Sequence, residues 1–143
     1  MNPPTILLIE DDSNDMLLLQ RAFRRAGISH PLQIVSDGDQ AVSYLRGDQQ
    51  FADRAVHPLP SLILLDLKLP RRSGLEVLQW LRQEASEDVK KIPVIVLTSS
   101  RLSEDVDQAY SLGANSYMAK PSGNYDGLAE MVKKLEEKHN QAK

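Results

Sequence analysis

Apolar positions along the chain fall into two alternating rhythms. Five short runs, "TILLIE" (5–10), "LQIVS" (32–36), "SLILLD" (61–66), "IPVIVLT" (92–98) and "NSYMAK" (115–120), are rich in leucine and β-branched residues. Several of them lack polar alternation, the pattern of strands covered on both faces. Between them the apolar residues space out at helical intervals. Residues 14–26 carry Leu19, Ala22, Phe23 and Ala26 on one face, and Gly27 is a natural stop. Helices are predicted also over 37–46 and over 74–86, the second with Val77, Leu78 and Leu81 on one side. Residues 103–112 open with "SEDVDQ", a Ser cap and acids where a helix dipole favours them. The last segment, 124–138, places Leu128, Met131, Val132 and Leu135 at i, i+3, i+4 and i+7, with charge on its other face.

Five strands alternating with five helices predict a parallel sheet with right-handed crossovers. The expected architecture is α/β: a doubly wound five-stranded sheet of flavodoxin-like order with helices on both faces. In such sheets, sites form beyond the carboxyl ends of the strands, at the switch point in strand order. One connection, "GDQQFADRAVHPLP" (47–60), is longer than most. It reads either as a surface insertion or as a loop that contacts a partner. Residues 139–143 read as a frayed tail.

Composition narrows the function. The 143 residues suit one domain, 1–143, with no output domain. A net charge of −3 gives no electrostatic reason to expect nucleic acid. The clusters Arg21, Arg24, Arg25 and Arg71, Arg72 read as solvated faces. With no cysteine there is no disulfide, thiolate nucleophile or Cys-ligated zinc. No apolar run is long enough to span a bilayer, and "MNPPTILLIE" has no signal-peptide features, so no membrane role is expected and the cytoplasm is the default location. A Walker-type nucleotide loop is absent, and His30, His57 and His139 are too scattered for a zinc cluster.

The chemistry gathers at strand ends. The first strand ends in Glu10, Asp11 and Asp12, the third in Asp66, the fourth in Thr98, Ser99 and Ser100, and the fifth in Lys120 and Pro121. Taken singly, acids before a helix complement its dipole, an Asp after a strand is a cap, and a lysine is solvated. A parallel sheet brings all four sets to one edge. Glu10, Asp11 and Asp66 would then concentrate negative charge, which a cation must offset. Oxygen-only ligands point to a hard cation, Mg2+ first. A metal, an ammonium, a hydroxyl and a carboxylate make a phosphoryl-transfer site, with the aspartate as nucleophile.

The motifs "ILLIEDD", "LILLDLKLPRRSG", "IPVIVLTSS" and "YMAKP", in this order and spacing, resemble the CheY-type receiver domains of bacterial two-component response regulators. The resemblance spans essentially the whole chain. It implies Asp66 as phosphoacceptor, Asp11 as a direct Mg2+ ligand, Glu10 as a ligand through water, and the Lys68 backbone carbonyl as another ligand. It further implies Thr98 as the hydroxyl switch, Lys120 as the phosphate-pairing lysine and Tyr117 as an aromatic that swings inward on activation. Asp12 falls outside the acidic pair and reads as a helix-start residue. The Lys120–Pro121 bond is typically cis in the family, and Pro70 and Gly74 match its turn after the acceptor strand. Lys68 and Ser100 stand where the family tunes dephosphorylation. The long loop, with "YLRG" (44–47) and "HPLP" (57–60), is most similar to stand-alone regulators that partner cyanobacterial phytochromes.

The resemblance also implies partners. A histidine kinase or phosphotransfer protein would supply the phosphoryl group. Output would pass through a downstream protein or a homodimer, using the face built from residues 103–138, with Tyr110 on it. Two other readings remain: an Mg2+-dependent phosphohydrolase with an Asp nucleophile, and a binding module of receiver fold that takes no phosphate. The first would need a general-acid aspartate two residues after Asp66, where this chain has Lys68.

Overall fold

A computed structural model of the chain describes residues 5–99, 103–120 and 124–141. The expected strands form as β1 (Ile6–Ile9), β2 (Leu32–Val35), β3 (Leu62–Asp66), β4 (Val94–Thr98) and β5 (Ser116–Ala119). All pair in parallel, in the order β2-β1-β3-β4-β5. The sheet is flavodoxin-like, and its order reverses between β1 and β3. Every side chain of β1, β3 and β4 is buried, which is why these runs show no polar alternation.

The helices are α1 (Ser13–Ala26), α2 (Gly38–Arg46), α3 (Gly74–Gln83), α4 (Glu87–Lys90), α5 (Ser103–Ser111) and α6 (Asp126–Gln141). The chain divides into two compact units, Met1–Asp11 with His30–Ala119, and Asp12–Ser29 with Lys120–Lys143. In the first, Leu7, Ile9, Ile63, Leu65, Val94 and Val96 meet Val77, Leu78 and Leu81 of α3 in one apolar core. Residues of opposite parity, Ile6, Leu8, Leu62, Leu64, Ile95 and Leu97, are buried on the other sheet face.

In the second unit α1 packs on α6, and Leu19, Ala22, Phe23, Leu128, Ala129 and Val132 are buried. Gly27 ends α1 at φ 73°, as its position predicts. Its amide donates to Arg24 O, and the Ile28 amide donates to Phe23 O. Lys133 Nζ donates to the Ala26 carbonyl at 2.6 Å, so a cation neutralises the helix end.

Several boundaries differ from the sequence pattern. The expected helix 74–86 stops at Gln83 as α3, and an unexpected short helix, α4, follows from Ser86 with Glu87 and Asp88 in its first turn. On α6 the buried residues are Leu128, Ala129 and Val132, joined by Tyr125 just ahead of the helix, about one turn toward the N-terminus of the expected stripe. Leu135 is consequently exposed, and the helix runs on to Gln141 where a frayed tail was expected. The Ser103 side chain, expected as a cap, lies outside the described residues.

The long loop is folded onto the first unit rather than loosely inserted. A 3-10 turn at Gln49–Phe51 buries Phe51 against Tyr44, ring centroids 5.1 Å apart. His57 closes the cluster edge-on, 5.8 Å from Tyr44 and 5.2 Å from Phe51. The Tyr44 hydroxyl donates to Pro58 O at 2.8 Å. Arg54 donates to the Tyr44, His57 and Leu45 carbonyls at 2.7, 3.2 and 3.0 Å, satisfying the orphan end of α2.

Candidate functional site

Register places the acids. Ile9 of β1 pairs with Leu65 of β3, so Glu10 and Asp66 follow side by side at the switch point. Glu10 is 1% exposed and Asp66 3%, while Asp11 is open to solvent. One carboxylate oxygen from each of the three lies within 4.8 Å of the others. Three like charges so close, two of them desolvated, repel strongly. The donor set is oxygen only and open on one side, the combination that suits a hard divalent cation keeping several waters. Sequence reasoning found all three residues, and the fold brings them together.

The turn after Asp66 is held by backbone contacts. The Lys68 amide donates to Asp66 Oδ1 at 3.1 Å, orienting the carboxylate from its own chain. The Leu67 amide donates to Leu97 O at 3.3 Å, and the Gly74 amide donates to Leu67 O at 3.0 Å. Gly38 reaches Pro70 O at 3.4 Å, and Arg71 takes a left-handed φ of 69° to complete the turn. Ser73 then caps α3 in a reciprocal box with Glu76, which anchors the helix start beside β3. The Lys68 side chain itself is exposed.

Thr98 ends β4 with no exposed surface, one residue past Leu97, the register partner of Asp66. Tyr117, in the middle of β5, is half-buried against the first unit's core. Burial pushes its phenol above the ordinary value, and the nearby Asp105 carboxylate adds to the shift. Tyr110 on α5 is exposed. Ser100 and the Lys120–Pro121 bond lie outside the described residues.

Asp12 behaves as a helix-start residue, with Oδ1 accepting from the Asn14 and Asp15 amides at 2.8 and 3.1 Å. In the same unit Lys120 Nζ meets Asp15 Oδ2 at 2.9 Å, and the Tyr125 hydroxyl donates to Asp15 Oδ1 at 2.9 Å. Neither Asp15 nor Tyr125 was singled out in the sequence. Asp15 looks like one more acid in a helix's first turn, and only the fold joins it to residues more than a hundred positions away.

The comparisons with known proteins agree with this geometry. The response regulator receiver domain profile matches residues 6–133. Response regulator Rcp1 of Synechocystis sp. is 43% identical over 136 residues, spanning 94% of this chain and 88% of Rcp1. The crystal structure of the Mn2+-bound form of Rcp1 has a TM-score of 0.78 at 40% identity, covering 94% of this chain and 92% of that one. Response regulator RPA3017, in red light signaling of R. palustris, has a TM-score of 0.81 at 42% identity, covering 92% and 90%. The phosphorylated cyanobacterial phytochrome response regulator RcpA has a TM-score of 0.80 at 35% identity, covering 96% and 93%.

A carboxylate cluster at the switch point of a 2-1-3-4-5 parallel sheet defines a receiver, and this chain belongs to the response regulator receiver domain family. It is a phosphorylation-dependent signalling switch. The expected likeness to regulators that partner cyanobacterial phytochromes is met by RcpA. Among the described residues, no helix is long and apolar enough to cross a membrane.

Proposed function

We propose that Asp66 is the phosphoacceptor and that its phosphorylation drives the switch. The observation that carries this is the convergence of Glu10, Asp11 and Asp66 carboxylate oxygens within 4.8 Å at the switch point. An Asp66 carboxylate oxygen attacks the phosphorus of a histidine kinase's or phosphotransfer protein's phosphohistidine, or of a small acyl phosphate. A new P–O bond forms, the donor's P–N or P–O bond breaks, and the donor leaves with its electron pair. Hydrolysis of the acyl phosphate by water returns the carboxylate. The protein thus catalyses only its own phosphorylation and dephosphorylation.

Asp11 and Asp66, the Lys68 carbonyl, and Glu10 through water would hold Mg2+. Bound there, Mg2+ supplies charge neutralisation for the transferring phosphoryl oxygens. The Lys68 amide keeps Asp66 Oδ1 oriented, which leaves the other carboxylate oxygen for attack. Lys120 keeps the role of the phosphate-pairing cation and Thr98 that of the hydroxyl switch. Tyr117 responds to Thr98 and biases the face built from residues 103–138, through which a downstream protein or a second copy reads the state. Lys68 and Ser100 tune the lifetime of the phosphoryl group.

The test compares intact masses of wild type and Asp66→Asn after incubation with acetyl phosphate and Mg2+. Wild type gains one phosphoryl group and the variant gains none. Equal labelling of the variant would assign the acceptor elsewhere, and continued turnover of acetyl phosphate beyond one equivalent would indicate a phosphohydrolase. Lys68→Asn is expected to shorten the label's half-life, and an unchanged half-life would make Lys68 a solvated bystander.

A further inference from the structure

Lys120 carries a long, flexible stem, and a cation on such a stem works best when something fixes it before the phosphoryl group arrives. The second unit contains such a device. Asp15 sits in the first turn of α1, where the helix dipole favours a carboxylate, and its own amide is tied to Asp12 Oδ1. One oxygen, Oδ1, accepts from the Tyr125 hydroxyl at 2.9 Å, and Tyr125 is only 1% exposed. The other, Oδ2, meets Lys120 Nζ at 2.9 Å. The two side chains are 23% and 14% exposed, so the pair is largely shielded from solvent. Buried phenol, carboxylate and ammonium form one line: Tyr125 aims Asp15, and Asp15 holds Lys120.

We propose that Asp15, aimed by the Tyr125 hydroxyl, is a positioning residue that holds the Lys120 ammonium ready for the incoming phosphoryl group. The inference rests on the reading in which Lys120 pairs with that group. An ammonium has three donors, so one can remain on Asp15 while the others serve elsewhere. Asp15 itself touches no reacting atom. Its effect on phosphorylation therefore has to pass entirely through Lys120, which gives the proposal a signature that a merely structural residue lacks.

The test is a double-mutant cycle on the rate of acetyl phosphate labelling, with folding checked by circular dichroism. Asp15→Asn keeps the shape and removes the charge, and it is expected to slow labelling by about tenfold, within the range that misplacing a catalytic group costs. Tyr125→Phe keeps the buried ring and removes only the hydroxyl, so it gives a milder loss of about threefold. In a Lys120→Met background neither substitution changes the already slow rate, because the group they position is gone. Asp15→Glu is expected to recover part of the rate lost in Asp15→Asn. A wild-type rate in Asp15→Asn overturns the proposal, as does an equal fold-loss with and without Lys120. Labelling of Lys120→Met at the wild-type rate overturns both this inference and the role assigned to Lys120. Slow labelling in Lys120→Met with a normal rate in Asp15→Asn sinks the inference alone.

Discussion

Gly74 faces the backbone of Asp66 so closely that a methyl group on it would overlap the Asp66 carbonyl oxygen and stand 2.6 Å from the Leu67 Cα. The neighbouring atoms are backbone and cannot swing aside. The start of α3 can therefore approach the end of β3 only where residue 74 has no side chain. Gly74→Ala is expected to cost about 1–3 kcal/mol, as overpacking of a tight contact does. It should also slow labelling by acetyl phosphate, because the turn that must yield is the one whose Lys68 amide orients Asp66. Urea denaturation and the labelling rate check the two effects together. Unchanged stability would mean that the turn relaxes without strain.

Arg54 ties the long loop to the end of α2 with three charge-assisted bonds to carbonyls. Its guanidinium also lies over the Tyr44 ring, 5.8 Å from the centroid. Hydrogen bonds to charged groups are worth more than neutral ones, and removing the donor leaves three carbonyls to find other partners. Arg54→Met is expected to destabilise the protein by about 2–3 kcal/mol. Hydrogen exchange should rise first in residues 47–60 and at the end of α2. A loss confined to the loop's own amides, with global stability intact, would show that the loop is an independent appendage.

Tyr44 links stability to alkaline pH. Burial raises its phenol above the model-compound value of 10.0, and the Arg54 charge only partly opposes the shift. With the folded value above the unfolded one, the unfolded state releases its proton first as pH rises. The hydroxyl's stabilisation is complete below about pH 10 and is lost as pH climbs through the raised folded value. Tyr44→Phe is expected to lower stability at neutral pH by about 1 kcal/mol, through the lost bond to Pro58. It should also flatten the alkaline fall. Tyr117, raised as well, contributes a second share, so Tyr117→Phe in the same titration separates the two.

Strand positions, sheet order and the acidic cluster were all legible in the chain, because fully buried parallel strands leave uninterrupted apolar runs and sites follow strand ends. Glu10, Asp11 and Asp66 needed only the register to meet. The capping residues that depend on a single local interaction, such as Asp12, were readable too. What escaped were contacts that no periodicity encodes. Arg82 donates to the carbonyls of Gly113, Lys90 and Ile92 and to Asn115 Oδ1, stapling two connections, α4–β4 and α5–β5, whose residues are distant from it in sequence. Its guanidinium is buried enough to lower its pKa. Nothing about an arginine on α3 announces this, and nothing about Asp15 announces Lys120 and Tyr125. The end of α3 at Gln83, short of the expected 86, escaped for a different reason: the buried apolar Ala85 continues the helical rhythm past it.

The acidic cluster is expected to make stability depend on divalent cation. Glu10 and Asp66 are both nearly inaccessible, and their carboxylate oxygens lie within 4.8 Å of each other and of Asp11. Without a cation their mutual repulsion works against the folded state, since the charges separate on unfolding. Asp66→Asn removes one of the three charges and one candidate ligand together, so its two expected effects have opposite sign. In EDTA the variant is expected to be more stable than wild type by about 1 kcal/mol, or roughly 2–4 °C in Tm for a domain of this size. In Mg2+ at a hundredfold excess over its Kd, wild type gains about 2.7 kcal/mol from binding. The variant, lacking a ligand, gains far less, and the order of the two melting temperatures reverses. Thermal denaturation of both proteins with and without Mg2+ decides the matter. If wild type is the more stable in EDTA and Mg2+ moves neither curve, the three carboxylates do not form a cation site.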